Sequence, residues 1–177
     1  MNWDEMTRVQ PRLAGRAHDR LIAPGVVLVA TVRADGTPRV TPVEPFVMDG
    51  RLWLAMLHGS RKAADLRRDA RVLLHSIVTS REGTEGEVKL RGTARAEHDR
   101  RVQERFAKAA GDALGWHAVV GRFHLFEVDI AHVATVRYHN PTGDQYVATW
   151  PPGREFVRRA TSATSVGDPE EWSELLV

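Results

Sequence analysis

Residues 26–57 read VVLVATVRADGTPRVTPVEPFVMDGRLWLAML and contain three extended stretches separated by two Asp-Gly pairs. The stretches, rich in apolar and β-branched residues, cover residues 26–34, 39–48 and 51–57. Because Asp-Gly favours the tight turns of β-hairpins, this pattern predicts a three-stranded antiparallel meander. Pro42 and Pro45 each remove a backbone donor from the middle strand, so that strand is expected to be irregular or to lie at an edge.

The rest of the chain alternates between short helical and extended patterns. Helices are predicted at residues 60–68, 98–110 and 113–120, and strands at residues 71–79, 88–97, 122–130, 132–139 and 145–150. The apolar positions change side between Leu125 and Phe126, which indicates a bulge. Six or seven strands with short inserted helices fit a small β-barrel better than a parallel α/β sheet.

The two ends of the chain are predicted to lie outside this barrel. Residues 1–25 carry apolar residues at helical spacing before Pro24-Gly25 and are expected to form a helical arm. Residues 160–170, ATSATSVGDPE, have the composition of a linker. Asp168-Pro169-Glu170-Glu171 resembles the N-cap, first-turn proline and acidic first turn of a short docking helix. The predicted organisation is an arm (1–25), a cofactor-binding barrel (26–153) and a linker with a docking helix (154–177).

The composition excludes several classes of function. The 177 residues include no cysteine, which rules out disulfides, thiol nucleophiles and Cys-ligated metals. A net charge of +2 gives no support for general nucleic-acid binding. The longest apolar run, residues 26–32, is too short to span a bilayer, and the charged N-terminus has no apolar signal core. We therefore expect a cytoplasmic protein with no nucleic-acid or membrane partner.

No familiar catalytic signature is present, and the catalytic residues stay unknown at this stage. The sequence has no Gly-rich dinucleotide or phosphate loop, no nucleophile elbow and no His-Glu-x-x-His pair. His124, His132 and His139 fall in predicted neighbouring strands and could converge. Metal binding would also need hydrogen-bond partners that orient each imidazole ring. Ordinary sheet histidines are the favoured interpretation, so no metal site is predicted.

The stretch Ser60-Arg61-Lys62 carries the most chemical information. Ser60 stands at the expected N-cap of a helix, yet Arg61 and Lys62 place two positive charges at the helix end that already favours anions. A bound phosphate would resolve this conflict through backbone N–H groups, the hydroxyl and both cations. The alternative is that Arg61 and Lys62 pair with Asp65 on a solvated helix face. Composition alone leaves the two interpretations even.

A second candidate cluster, Arg39-Val40-Thr41-Pro42, follows the first Asp-Gly turn. If the meander strands lie side by side, Arg39 opens onto the same edge as Ser60–Lys62, and the two clusters form one anion site. A surface arginine on an edge strand explains the same residues without any ligand, and this alternative stays open.

These elements, in this order, resemble the pyridoxamine 5'-phosphate oxidase-like family of FMN-binding split barrels over about residues 26–153. The resemblance implies a six-stranded antiparallel split β-barrel in which the residues corresponding to Arg39, Ser60, Arg61 and Lys62 hold the cofactor phosphate. In the family, the backbone at the positions of Val40, Thr41, Ala55 and Met56 borders the flavin ring.

Family members are homodimers with cofactor sites in the subunit interface. The resemblance therefore implies that this chain pairs with itself, and that Trp150 and Arg154 resemble the late aromatic and basic residues that approach the cofactor of the second subunit. The flavin or deazaflavin would carry the redox chemistry for a small organic substrate.

The chain departs from the true oxidases of pyridoxamine phosphate at two places. It has Arg158-Arg159-Ala160-Thr161 in place of their late substrate motif, and Glu44 in place of a family lysine. Oxidation of pyridoxamine phosphate is thus not expected. One related branch uses the deazaflavin coenzyme F-420, and another binds haem, for which His58 or His75 are candidate ligands. The prediction is an FMN- or F-420-dependent oxidoreductase, with a non-catalytic flavin, F-420 or haem binding protein as the alternative.

Overall fold

The computed structural model describes residues 1–176. The helices are α1 (Trp3–Val9), α2 (Pro11–Ala17), a π-helix (His18–Ile22), α3 (Arg61–Arg68) and α4 (Arg100–Leu114). The strands are β1 (Val27–Val32), β2 (Pro38–Val43), β3 (Pro45–Met48), β4 (Arg51–Leu57), β5 (Arg71–His75), β6 (Glu87–Glu97), β7 (Phe123–His139), β8 (Asp144–Trp150), β9 (Arg154–Ser162) and β10 (Ser165–Glu171). The predicted meander and the mainly β composition are confirmed.

All ten strands belong to one antiparallel sheet. One path runs β10-β9-β8-β7-β6-β5-β1-β2, while β4 pairs with β3 and with the first half of β7. Strand β7 is long enough to pair with β4 through residues 123–128 and with β8 through residues 133–139. The sheet thus curls around a core, and β2 meets no hydrogen-bonded partner on its second edge within residues 1–176.

The main core fills the inside of this curled sheet. Buried side chains come from β1, β2 and β4–β7, six strands that alternate inward and outward residues. The N-terminal helices close one end, since Trp3, Met6, Leu13 and Leu21 join the same apolar cluster. Asn2 caps α1 by accepting the N–H of Glu5, which fixes where the first helix begins.

A second, smaller core lies on the other side of β4 and β7, beneath α4. It contains Trp53, Phe106 and Leu125, whereas Phe126 faces the main core. Leu125 and Phe126 are both buried because β7 is covered on both faces here, so the predicted bulge between them is wrong. The register instead shifts at Ala131, which has no counterpart between Arg91 and Gly92 of β6.

The region after α4 differs from its prediction. Helix α4 is continuous to Leu114 and ends at Gly115, which has the left-handed conformation (φ +68°) typical of a helix C-terminus. No helix follows in residues 115–122, so the helix predicted at 113–120 is wrong. The residues of this loop instead pack Trp116 against Phe106 and Phe123.

The C-terminal region also differs from its prediction. Strands β9 and β10 form a hairpin that extends the sheet beyond β8, and Asp168-Pro169-Glu170-Glu171 lies in β10, not in a docking helix. The backbone N–H of Ala160 donates to the buried carboxylate of Asp144, which fixes β9 against β8. Pro169 is compatible with a strand here because β10 lies at the sheet edge. Pairing across strands thus overrides the local helix-start pattern.

Candidate functional site

A groove of about 420 Å³ opens where β2 and β4 fail to pair, and we call it the split groove. Its walls are mostly apolar, with one lysine and one glutamate, and they consist of Val26, Pro42, Val43, Glu44, Phe46, Ala55, Met56, Leu57, Lys62, Phe106, Leu114 and Trp116. Three of the residues predicted from the sequence, Ala55, Met56 and Lys62, therefore lie together in it.

The two prolines of the meander explain why the sheet is open at this point. Pro42 lacks the N–H that a ladder partner would need, and Pro45 lacks it at the first residue of β3. The carbonyl oxygen of Pro42 accepts a hydrogen bond from Nζ of Lys62 at 3.3 Å instead. The local sequence thus frees a stretch of backbone and directs it toward a lysine.

The N-terminus of α3 is where the sequence predicted an anion site, and its residues leave backbone N–H groups and positive charge unused. Ser60 is the N-cap residue, but its hydroxyl makes no capping hydrogen bond, and the first turn holds no acidic residue. Arg61 is exposed and has no ion-pair or hydrogen-bond partner in residues 1–176. By contrast, Asp99 caps α4 through the N–H of Arg101. The first N–H groups of α3 are therefore left without a side-chain acceptor.

Lys62 is the groove residue with the most unusual electrostatics. Its side chain is half-buried, and this burial lowers the pKa of the ammonium group, while the nearby Glu44 acts in the opposite direction. No carboxylate lies within ion-pairing distance of Nζ in the described part of the chain. Lys62 thus places a positive charge in an apolar groove with only a carbonyl oxygen as partner.

Asp65 does not pair with Arg61 or Lys62, so the solvated-face alternative is wrong for these cations. Its carboxylate is buried and accepts hydrogen bonds from Nε of Arg39 at 2.6 Å and from the hydroxyl of Thr31 at 3.0 Å. Burial raises the pKa of Asp65, but the hydrogen bonds from Arg39 and Thr31 outweigh it and hold the pKa below its ordinary value. Asp65 thus joins α3 to β2 through Arg39 and to β1 through Thr31.

The second predicted cluster is divided between two faces of β2. Arg39 and Thr41 point to the side of Asp65 and the core, whereas Val40 points outward and is 57% exposed. The hydroxyl of Thr41 is buried and has no hydrogen-bond partner among residues 1–176. It lies on β2 between Arg39 and the groove residue Val43, so this edge carries an unsatisfied polar atom beside the split groove.

Trp150 and Arg154 are remote from the split groove within one chain. Trp150 lies in the same cross-strand row as Thr41, but β7, β6, β5 and β1 stand between them, roughly 24 Å along the sheet. Its side chain packs on the main core. Arg154 stacks its guanidinium over Phe156 at 4.9 Å. The structure therefore does not bring these two residues to the other candidates.

The histidines differ in whether their ring nitrogens already have hydrogen-bond or ion-pair partners. Both ring nitrogens of His75 have partners, the carbonyl oxygen of Ser76 and the carboxylate of Glu87. His58, exposed at the end of β4, stacks on His124 with ring centroids 5.2 Å apart. His124, His132 and His139 all lie on β7 and not in neighbouring strands, so they do not converge. No cluster of metal-binding side chains exists among residues 1–176.

Several groove residues were not predicted from the sequence. Phe46, Phe106, Leu114 and Trp116 reach the groove because α4 and the following loop pack over β3 and β4. The apolar face of α4 predicted burial but not what it would cover. No signal in the sequence links a residue near position 110 to a meander that ends at residue 57.

Similarity to solved structures is confined to the fold. A putative pyridoxamine 5'-phosphate oxidase from Listeria innocua has a TM-score of 0.56 and 14% identity, covering 70% of this chain and 94% of that one. HutZ, a heme storage protein from Vibrio cholerae, has a TM-score of 0.54 and 18% identity, covering 70% and 90%. A heme binding protein from Mycobacterium smegmatis has a TM-score of 0.53 and 18% identity, covering 87% and 86%.

These likenesses confirm the predicted split-barrel fold and leave the cofactor undecided, since the neighbours include a putative oxidase, a heme storage protein and a heme binding protein. None of the described helices is both long and apolar enough to cross a bilayer. No curated protein matches the sequence. The family model for pyridoxamine 5'-phosphate oxidase matches residues 13–137, which is more than half of the sequence, and the chain therefore belongs to this family.

Proposed function

We propose that the split groove binds FMN, or F-420 in its place, and that the protein is a flavin- or deazaflavin-dependent oxidoreductase for a small organic substrate. One observation carries the proposal: Lys62 is half-buried in a mostly apolar groove, next to an uncapped helix N-terminus, where Glu44 lies nearby but no carboxylate of residues 1–176 forms an ion pair with it. A ligand with a flat ring system and one phosphate matches both parts of this site.

The anionic end of such a ligand would lie at the start of α3. The free N–H groups of the first turn, the Ser60 hydroxyl and the side chains of Arg61 and Lys62 supply donors and positive charge there. Arg39 adds to the positive field, although its Nε is committed to Asp65. At the phosphate, Arg39 would therefore act through its two terminal guanidinium nitrogens.

The ring end would lie between β2, β4 and α4. Phe46, Met56 and Trp116 provide apolar wall, and a groove of about 420 Å³ falls within the size range of small-molecule sites. The buried, unpartnered hydroxyl of Thr41 is a polar atom that a ligand on this edge would satisfy. The residues present therefore fit a ring-and-phosphate cofactor.

The protein's contribution to catalysis would be placement and exclusion of water. FMN or F-420, when bound, supplies the redox chemistry for electron or hydride transfer. Within residues 1–176, β2 pairs with β1 on one edge only, so the other edge around Val40 and Thr41, together with the backbone at Ala55, would offer hydrogen bonds that orient a ring. Trp116 and Leu114 shield one side of the groove from water. No side chain of the groove needs to act as a general base.

We further propose that the protein is a homodimer, in which Trp150 and Arg154 approach the groove of the second copy. Val40, Ala30 and Leu73 lie side by side on the outer face of the sheet, and Val40 is 57% exposed. This apolar row on β2, β1 and β5 is suited to burial between two copies. Light scattering on the purified protein measures its molar mass in solution. A monomer mass at micromolar concentration would contradict the proposed dimer.

Haem binding is the second candidate, and the position of His58 favours it. His58 follows the groove residue Leu57, is exposed, and has its ring stacked on His124 without a hydrogen bond that would block both nitrogens. His75 would be a poor haem ligand because both of its ring nitrogens already have partners. Under this alternative the protein binds or stores the group and performs no turnover.

The absorbance spectrum of the freshly purified protein distinguishes these candidates. Flavin, deazaflavin and haem have different visible bands, and each can be added back to protein that loses its ligand during purification. A colourless protein whose thermal stability responds to neither FMN nor F-420 would remove the cofactor proposal. If a flavin or deazaflavin binds, oxidation of reduced nicotinamide or reduction of an acceptor tests for an enzyme, and a lack of turnover would favour the binding-protein alternative.

A further inference from the structure

A second cavity, of about 540 Å³, lies between α2 and the outer part of the sheet formed by β7 and β8. We call it the arginine cavity, because Arg12 and Arg16 of α2 and Arg137 of β7 line it together with Tyr146. It shares no lining residue with the split groove. Its size is within the range of sites for small metabolites.

The positive charges in this cavity are only partly compensated. Arg16 is half-buried, and burial, followed by the charges of Arg20 and Arg137, lowers its pKa more than Asp19 and Glu174 raise it. Neither Arg12 nor Arg16 forms an ion pair with any carboxylate in residues 1–176. Arg16 donates one hydrogen bond, to the carbonyl oxygen of Glu85, which is a neutral acceptor. Asp19 also lines the cavity and favours the charged form of Arg16, but it lies beyond ion-pairing distance, so two of the three lining arginines have no direct ion pair within residues 1–176.

The chain supplies a weak counter-ion of its own. The carboxylate of Glu174 reaches Arg137 at 2.9 Å, and its carbonyl oxygen accepts from Arg12 at 3.2 Å. This contact is shallow, since the Glu174 side chain is 49% exposed. The segment is held over the cavity by Glu155, whose carboxylate accepts the N–H groups of Glu174, Leu175 and Leu176 at 2.7–3.0 Å. Glu155 is therefore already satisfied, and Glu174 is the replaceable anion.

One lining residue of the cavity, Gly15, has no side chain, so space is left at that point of the wall. Gly15 lies in the middle of α2, and a Cβ atom placed there would meet no atom within 4 Å. A glycine inside a helix is less stabilising than an alanine at the same position. Its effect here is to leave room beside Arg12 and Arg16 for a ligand to approach the helix backbone.

We propose that the arginine cavity is a second anion-binding site, which takes a small metabolite bearing a phosphate or carboxylate group, and that Glu174 competes with this ligand. Arg12 and Arg137 both contact Glu174, so an oxyanion that replaced its carboxylate would meet the hydrogen-bond donors that arginine offers to such groups. The flat ring of Tyr146, with Arg137 stacked on it at 4.8 Å, provides a wall for the rest of the ligand. The site is independent of any cofactor in the split groove.

The test is a titration of ¹⁵N-labelled protein with inorganic phosphate and, separately, with succinate, followed through the amide resonances of Gly15 and Arg16. At constant ionic strength, the Glu174→Gln protein is expected to bind about two- to fivefold more tightly than the wild type, the range for loss of an exposed competing pair. Glu171→Gln is the matched control, because it removes the same charge from an exposed residue outside the cavity. The anion that binds with the higher affinity shows whether the site prefers a phosphate or a carboxylate group.

Arg137→Gln is expected to weaken binding more than about tenfold, as for loss of a charge-assisted hydrogen bond. Gly15→Leu fills the open space and is expected to weaken binding without removing a charge, so it remains informative if an arginine variant fails to fold. The proposal is overturned if the Gly15 and Arg16 resonances stay unchanged in the Glu174→Gln protein. It is equally overturned if shifts are confined to residues 60–62, or if Glu171→Gln has the same effect as Glu174→Gln.

Discussion

Replacement of Asp65 by asparagine tests how the site is held together. Asp65 is buried, with a side-chain exposure of 6%, and its carboxylate joins Arg39, Thr31 and Arg68 at 2.6, 3.0 and 3.4 Å. Asp65→Asn keeps the shape but removes the negative charge, which leaves Arg39 partly buried without a counter-ion. Such a loss costs about 3–5 kcal/mol in a fully buried pair. Because Arg39 retains 19% exposure, we expect about 3 kcal/mol, the lower end of that range.

This loss is measurable by thermal unfolding. For a chain of this length each kcal/mol shifts Tm by about 2–4 °C, so Asp65→Asn is expected to lower Tm by about 6–12 °C at neutral pH. Asp112→Asn is the control, because Asp112 is 67% exposed and pairs with Lys108 on the surface of α4. An Asp65→Asn protein that melts within about 2 °C of the wild type would refute the reasoning.

The pH dependence provides a second check on the same residue. The folded-state pKa of Asp65 lies below its unfolded value, so its stabilising contribution is present above that unfolded value, about 3.9, and is lost as the pH falls through the folded-state pKa. The difference in Tm between wild type and Asp65→Asn should therefore shrink below about pH 4. A difference that stays constant on acidification would mean that the charge of Asp65 is not what stabilises the fold.

Three further predictions concern the elements around the sites. Phe106→Ala should cost about 3–5 kcal/mol in urea unfolding, since the ring fills the small core beneath α4; a loss below about 1 kcal/mol would contradict that packing. Gly50→Ala should lower Tm, because φ is +68° and the new Cβ would lie 2.1 Å from the carboxylate of Asp4, whereas Gly15→Ala, with open space around it, should raise Tm. Equal signs for these two alanine variants would be inconsistent with the structure. Asp99→Ala should cost about 0.5–2 kcal/mol by removing the cap of α4, and an unchanged unfolding midpoint would show that the cap contributes nothing.

The meander was predictable because its signals are local. At the second turn, Asp49 and Gly50 both adopt positive φ angles, 50° and 68°, which is the conformation that an Asp-Gly hairpin turn requires. The irregular middle strand was predictable for the same reason, since Pro42 and Pro45 act on their own backbone. Such features depend on residues next to each other in the chain.

The C-terminal hairpin was not predictable from its own residues. The pattern Asp168-Pro169-Glu170-Glu171 is a good helix start, yet pairing of these residues with β9 and the contact of Asp144 with the backbone of Ala160 favour a strand. The bulge predicted between Leu125 and Phe126 was wrong for a similar reason. Two consecutive apolar residues suggest a change of register, but here they are buried on opposite faces of β7. In each case tertiary contacts decided the outcome.

The candidate site shows the same division. Lys62 and the β4 residues Ala55 and Met56 were identified from motif and resemblance, and the structure brings them into one groove. Helical spacing left open that Asp65 pairs with Arg61 and Lys62, and the structure excludes this alternative because the buried carboxylate of Asp65 accepts from Arg39. The aromatic cover from α4 and its loop depends on long-range packing that no local pattern encodes.

The affinity for FMN, measured by the change in its fluorescence, tests the central claim that the split groove holds the phosphate of a ring cofactor at Lys62. Lys62→Ala should weaken binding by about 1.5–3 kcal/mol, which corresponds to roughly a 10- to 150-fold rise in Kd. Arg100→Ala, which removes an exposed charge on α4, is the matched control and should leave Kd unchanged. Equal affinity in the wild type, Lys62→Ala and Arg61→Ala would contradict the account, because the phosphate would then lie elsewhere.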